Sequence, residues 1–118
     1  MSHSIEEDCI FCRIIRGEAP ADFLYQDETV VVFKDIRPCA LIHLLILPKK
    51  HIRSINELTE EDQNVISAMV FIGKNIAKEL GIWRTGYKLL INVEQGAGQD
   101  IFHVTCIYWV ALILVYKA

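Results

Sequence analysis

Apolar and polar positions change period several times along the chain, and each change marks an element. Cys9 to Arg16 is apolar on one side and ends at Gly17, a pattern that predicts a short helical segment stopped by glycine. Ala19-Pro20-Ala21 reads as a turn. Phe23 to Gln26 and Thr29 to Lys34 read as two strands on either side of the polar break Asp27-Glu28. Asp35-Ile36-Arg37-Pro38 is a loop, and Leu41 to Leu47 is a continuous apolar run ended by Pro48, as expected of a central strand. The clearest element is a helix from Thr59 to Leu80. Val65, Met69, Ile72, Ile76 and Leu80 recur at steps of three and four and so share one face. Thr59 suits the N-cap, Asp62 stands three residues on as a capping partner, and Gly81 closes the helix. Gly86 to Val93 reads as a strand, Gln95-Gly96-Ala97-Gly98 as a loop, and Ile101 onward as the last strand. The sum is an α+β domain, with one antiparallel sheet of about five strands, one long helix and a short N-terminal helix.

The length of 118 residues fits a single domain over 1–118 that can bury a core without disulfides. A net charge of −3 gives no general reason to expect a nucleic acid polymer or an anionic membrane as partner, and leaves small anionic ligands open. Met1 to Asp8 is polar and acidic, expected to be flexible, and unlike a signal peptide. The expected setting is cytoplasmic and reducing. Ile101 to Tyr116 is nearly all apolar but shorter than the ~18–20 residues of a membrane span. It contains His103 and Thr105, and its Val, Ile, Tyr and Trp favour a buried strand.

The cysteines are Cys9, Cys12, Cys39 and Cys106. In a reducing setting Cys9-x-x-Cys12 reads as metal or redox chemistry, or as two buried cysteines acting as small hydrophobes. As one half of a tetrahedral zinc site it needs two further ligands, and His3, His43, His51 and His103 are available. His43, inside the apolar run, is either a core histidine bonded to a carbonyl or a site histidine facing a pocket. Asn92 followed by Gly96-Ala97-Gly98-Gln99 is either a plain turn or a loop whose N–H groups approach a phosphate. Lys49, Lys50 and Arg53 read by default as a solvated basic face.

Taken together, the segments 9–21 (CIFCRIIRGEAPA), 33–38 (FKDIRP), 43–52 (HLLILPKKHI), 86–92 (GYKLLIN) and 98–104 (GQDIFHV) resemble the histidine-triad (HIT) family, and its small Hint-like branch in particular. They occur in family order and spacing over residues 9–104. The resemblance implies a HIT-like fold, homodimers that join their sheets, and binding of purine nucleotides such as a nucleoside monophosphate. It also implies hydrolysis of nucleoside phosphoramidates or related nucleotides through a nucleotidyl-histidine. By position, Asp35 and Ile36 line the ribose and base pocket, His43 and Asn92 lie near the phosphate and the nucleophile, and Gly98, Gln99 and Asp100 form the phosphate loop. Asp100 brings like charge to that loop unless it turns away. In zinc-containing relatives the metal ligands fall at the positions of Cys9, Cys12, His51 and His103, a set that suits tetrahedral zinc.

The chain departs from the family abruptly after Val104. His103 is the first triad histidine, Thr105 stands at the nucleophile's position and Ile107 at the third histidine's. A threonine hydroxyl without an adjacent base is a poor nucleophile. Strand alternation aims Cys106 away from the face carrying His103 and Thr105. A single inserted base at the Val104 codon allows the reading His-Val-His-Leu-His-Ile-Leu-Gly-Gly, the family's own motif, so the altered stretch is hypothesised to arise from a one-base frameshift. Three functions follow as alternatives. The chain is an impaired nucleotide hydrolase in which His103, Thr105 and His43 occupy the catalytic region, a non-catalytic nucleotide-binding or dimeric interaction module, or a zinc-stapled scaffold.

Overall fold

The computed structural model describes residues 9–36, 40 and 42–110. Residues 1–8, Arg37 and Pro38 of the expected loop, Cys39, Leu41 at the head of the apolar run, and the tail 111–118 lie outside the described residues. The elements are helix α1 (Ile10–Ile15), strands β1 (Phe23–Gln26), β2 (Val30–Lys34) and β3 (Ile42–Pro48), helix α2 (Gln63–Leu80), and strands β4 (Lys88–Leu90) and β5 (Cys106–Val110). The strands form one antiparallel sheet in the order β1-β2-β3-β5-β4.

The continuous apolar runs of β2 and β3 have a simple cause: both faces of the sheet are covered. Val30, Val32, Leu44 and Ile46 point to α2 and pack with Met69, Ile72, Ile76 and Ala77. Val31, Phe33, Leu45 and Leu47 point the other way and pack with Phe11 and Ile14 of α1. Each fully buried apolar side chain contributes roughly 1.5–3 kcal/mol, so a one-residue slip would exchange two cores at once. Gly73 lets α2 sit close to the sheet, because a Cβ there would lie 3.3 Å from both Ile46 Cδ1 and Tyr108 Cε2.

The long helix begins later than its capping signal suggests. Thr59 donates from its N–H and its hydroxyl to Asp62 Oδ2 at 2.9 and 3.1 Å, but these bonds close a 3-10 turn over Glu60–Asp62 and α2 follows from Gln63. Asp62 is buried and also accepts from Lys50 Nζ at 2.9 Å, which holds its carboxyl below the usual range. Gly81 ends α2 in the left-handed conformation, φ 75°. Two strands are shorter than expected. The last strand starts at Cys106 and not Ile101, so His103 precedes it. Val104 N–H donates to the Ile52 carbonyl at 2.7 Å and Thr105 Oγ1 to the His103 carbonyl at 2.8 Å, which takes residues 101–105 out of the ladder. Strand β4 pairs only with β5, and its ladder ends at Leu90 opposite Ile107. The expected strand Gly86–Val93 shrinks to three residues for that reason.

Strand β5 fits the sheet imperfectly. Its helix-facing Tyr108 is fully buried and stacks on Tyr87, with ring centroids 5.1 Å apart. Among the described residues, Tyr108 Oη and Trp109 Nε1 are buried polar atoms without a hydrogen-bond partner. Such a group costs about 1–3 kcal/mol in lost hydration. The sequence therefore conflicts with the fold at Tyr108 and Trp109 of β5. Replacing Tyr108 by Phe is expected to raise the thermal midpoint by a few degrees, about 1 kcal/mol. A drop of that size in a melting curve would show that the hydroxyl has found a partner.

Candidate metal centre and adjoining cavity

Cys9, Cys12, His51 and His103 converge, with one ligand atom from each lying within 4.8 Å of the others. Cys9 is the N-cap of α1 and its sulfur accepts the Cys12 N–H at 3.4 Å, so the first helical turn sets both sulfurs on one side. His51 follows the end of β3. His103 is brought in by the segment that Val104 ties to Ile52. Cys12 Sγ lies 3.2 Å from His51 Nδ1 and 3.6 Å from His103 Nδ1, and Cys9 Sγ lies 3.5 Å from His103 Nδ1. Ligands at roughly 2.0–2.3 Å from a tetrahedral ion stand about 3.3–3.8 Å from one another, so these three separations are close to those of a metal site.

The imidazole of His103 is prepared for that role. It is fully buried, and its Nε2–H donates to the Pro48 carbonyl at 2.8 Å, which leaves the Nδ1 lone pair facing the sulfurs. Burial pushes its pKa down to about 4, with the charge of His51 adding to the effect and the Pro48 bond opposing it. A neutral imidazole is the form that binds a metal.

Beside the cluster is a cavity of about 630 Å³ between α1, the β2-β3-β5 face and the loop 92–101. Asp35, Ile36, His43, Asn92, Gly98, Gln99, Asp100, His103 and Thr105 all line it, as does Ile107. The residues singled out in the sequence thus come together around one space. His43 Nε2 is 3.3 Å from Asp35 Oδ2, and its ring lies nearly parallel to Trp109, at 8° and 5.7 Å between centroids. Ile36 is 81% exposed, at the mouth.

Sequence reasoning missed two parts of the site. Ile10, Phe11, Ile14 and the 19–21 turn form a wall of the cavity, so the turn carrying the cysteines also bounds the space. The second part is a clasp around Glu94. Gln99, buried, accepts the Glu94 N–H at 2.7 Å and donates to the carbonyls of Arg53 at 2.8 Å and Ile101 at 3.2 Å. Glu94 has φ 68°, the one non-glycine among the described residues with a positive φ. Its carboxylate accepts from Ser54 Oγ and from Arg53, both at 2.6 Å, and these bonds hold its pKa below the ordinary carboxylate value. Such a backbone costs about 1–3 kcal/mol, and the surrounding bonds offset it. The Gln99 side chain and the N–H groups of Gly98 and Gln99 are thus used within the loop. No sequence pattern distinguishes this use from a ligand contact.

The chemistry open to the cavity wall is limited. Thr105 spends its hydroxyl proton on the His103 carbonyl. Cys106 packs in the core under α2, and burial pushes its thiol up to about 11, so it is a thiol and not a thiolate nucleophile. Both ring nitrogens of His103 turn to the cluster and to Pro48.

A pH dependence follows for the metal-free chain. The His103 pKa is lower folded than unfolded, so its contribution is intact above about 6.5 and is lost as pH falls towards about 4. Chelator-treated protein is expected to lose about 2 kcal/mol from this residue between pH 7 and pH 5. Chemical denaturation checks it, and stability that does not fall over that interval would contradict it.

The comparisons agree with this architecture. A family model described as "Scavenger mRNA decapping enzyme C-term binding" matches residues 8–113. The purine nucleoside phosphoramidase of Escherichia coli K12 is 38% identical over 98 residues, covering 83% of this chain and 82% of the relative. Protein HitA of Neisseria gonorrhoeae is 42% identical over 98 residues, covering 83% and 91%. Among solved structures, a HIT family hydrolase from Legionella pneumophila superposes with TM-score 0.86 at 35% identity, covering 93% of this chain and 98% of that one. One from Clostridium thermocellum gives 0.87 at 36%, covering 91% and 93%. With its five-stranded sheet, its long helix and these relatives, the chain belongs to the histidine-triad family.

Proposed function

We propose that the chain binds a purine nucleotide, such as a nucleoside monophosphate, in the cavity beside the metal cluster, and that it hydrolyses nucleoside phosphoramidates weakly or not at all. The observation that carries this is the gathering of Asp35, His43, Asn92, Gly98 and Asp100 around one space while Thr105 faces it in place of an imidazole. The activity printed for the Escherichia coli relative supports the substrate class. Asp35 and Ile36 hold ribose and base, and His43 and Asn92 meet the phosphate. Gln99 acts by holding the loop in shape, since its side chain is already bonded there. Asp100 also lines the cavity and brings like charge to a bound phosphate unless its carboxylate turns away.

Zinc is the ion proposed for Cys9, Cys12, His51 and His103. Four protein ligands leave no open position, so zinc there supplies a structural cross-link. A reducing compartment such as the cytoplasm keeps both thiolates available. Pairing into a homodimer is part of the same proposal, by family resemblance.

The altered strand is read as a one-base frameshift in an otherwise intact domain, and the buried, unpartnered polar atoms of Tyr108 and Trp109 favour that reading. Coding DNA in which the Val104 and Cys106 codons do not end in C would refute it. The functional test is a gain of activity. Thr105 and Ile107 both face the cavity, so the double variant Thr105→His, Ile107→His is expected to hydrolyse a purine nucleoside phosphoramidate about 10²-fold faster than the parent. Parent turnover well above background would remove the claim of impairment. A folded double variant that neither turns over nor binds a purine monophosphate would remove the nucleotide reading.

A further inference from the structure

We infer that the metal cluster is an effector site for the cavity, with Phe11 the positioning residue through which the two are coupled. The inference rests on the nucleotide reading only for the choice of probe.

Helix α1 has six residues, far below the ~12–15 at which an isolated helix becomes even marginal in water. Its conformation must come from what holds its two sides. On one side Cys9 and Cys12 face His51 and His103. On the other, Phe11 and Ile14 pack on the sheet and bound the cavity. Phe11 stands between the two cysteines. Its ring meets Phe33 edge to face at 5.7 Å and the imidazole of His103 at 6.0 Å and 74°. His103 belongs to both assemblies, as a member of the cluster and as part of the cavity lining.

A metal ion drawing the four ligands together therefore fixes the helix turn, the Phe11 ring and the cavity wall in one event. Without it, sulfur–nitrogen contacts of 3.2–3.6 Å stand between α1 and the two imidazoles in place of metal bonds, and these set the position of α1 less firmly. A ligand that needs a formed wall then binds the metal-loaded chain more tightly. By reciprocity the ligand raises metal affinity by the same factor. The expected factor is about tenfold, within the ~5–150-fold usual for coupled sites.

The experiment has two arms. In the first, calorimetry gives the Kd of adenosine monophosphate for zinc-loaded and chelator-stripped protein, and a chromogenic chelator gives zinc affinity with and without the nucleotide. Affinity is expected to fall about tenfold on stripping and zinc affinity to rise by the same factor with nucleotide. The Phe11→Ala variant is expected to keep zinc affinity within a few-fold while its coupling factor collapses towards one, which a merely destabilised protein would not do. Equal Kd values for loaded and stripped wild type would overturn the inference.

The second arm needs no nucleotide and separates this inference from the nucleotide reading. Hydrogen exchange is followed through Ile10–Ile15, Phe33 and α2 as zinc is removed. Faster exchange confined to α1 and the cavity wall supports the inference even if adenosine monophosphate binds neither form. Unchanged exchange in α1, or a rise that includes α2 equally, overturns it, because zinc would then be irrelevant to the wall or a staple for the whole fold.

Discussion

Four side chains from three distant stretches of the chain must reach one point, and much of the molecule is arranged so that they do. Cys9 and Cys12 arrive on one helical turn, His51 at the exit of β3, and His103 on a segment that leaves the sheet to bond with Ile52. Its members come from otherwise unrelated features: a six-residue helix carries two of them, and the Pro48 carbonyl orients the buried imidazole of a third. Strand β5 starts only at Cys106, because Val104 N–H bonds to Ile52 and the Thr105 hydroxyl to the His103 carbonyl, outside the ladder. The shortness of β4 then follows from the late start of β5.

The cavity has its wall, its His43–Asp35 contact and its clasped loop, and Thr105 and Ile107 line it where the proposed reading misses two imidazoles. The structural conflict is local: among the described residues, the buried side-chain polar atoms without a hydrogen-bond partner are Tyr108 Oη and Trp109 Nε1, both on β5.

What was legible in the sequence was what local patterning dictates. The step of three and four residues found α2 and, except for the exposed Leu80, its core-facing side, and the unbroken apolar runs found β2 and β3, because a two-sided core leaves no polar alternation to confuse. Motif order assembled Cys9, Cys12, His51 and His103, and the residues around the cavity, from positions up to 94 residues apart. Strand limits were not legible, because Ile101 to Val110 is nearly all apolar and only the hydrogen bonds of Val104 and Thr105 show where the ladder stops. Nor was the use of Gln99, whose amide fits a phosphate loop in sequence and serves the Glu94 turn in the fold. The part of α1 as a cavity wall was hidden because six residues carry too little periodicity to assign two faces separate duties.

The proposed roles of Cys9, Cys12, His51 and His103 require that the cluster be a metal centre. Protein purified under reducing conditions without chelators is predicted to carry one zinc per chain by elemental analysis, and to lose it on Cys12→Ser with a lower thermal midpoint. Wild-type protein that is metal-free, takes up no added zinc and melts at the same temperature with and without chelator would contradict it.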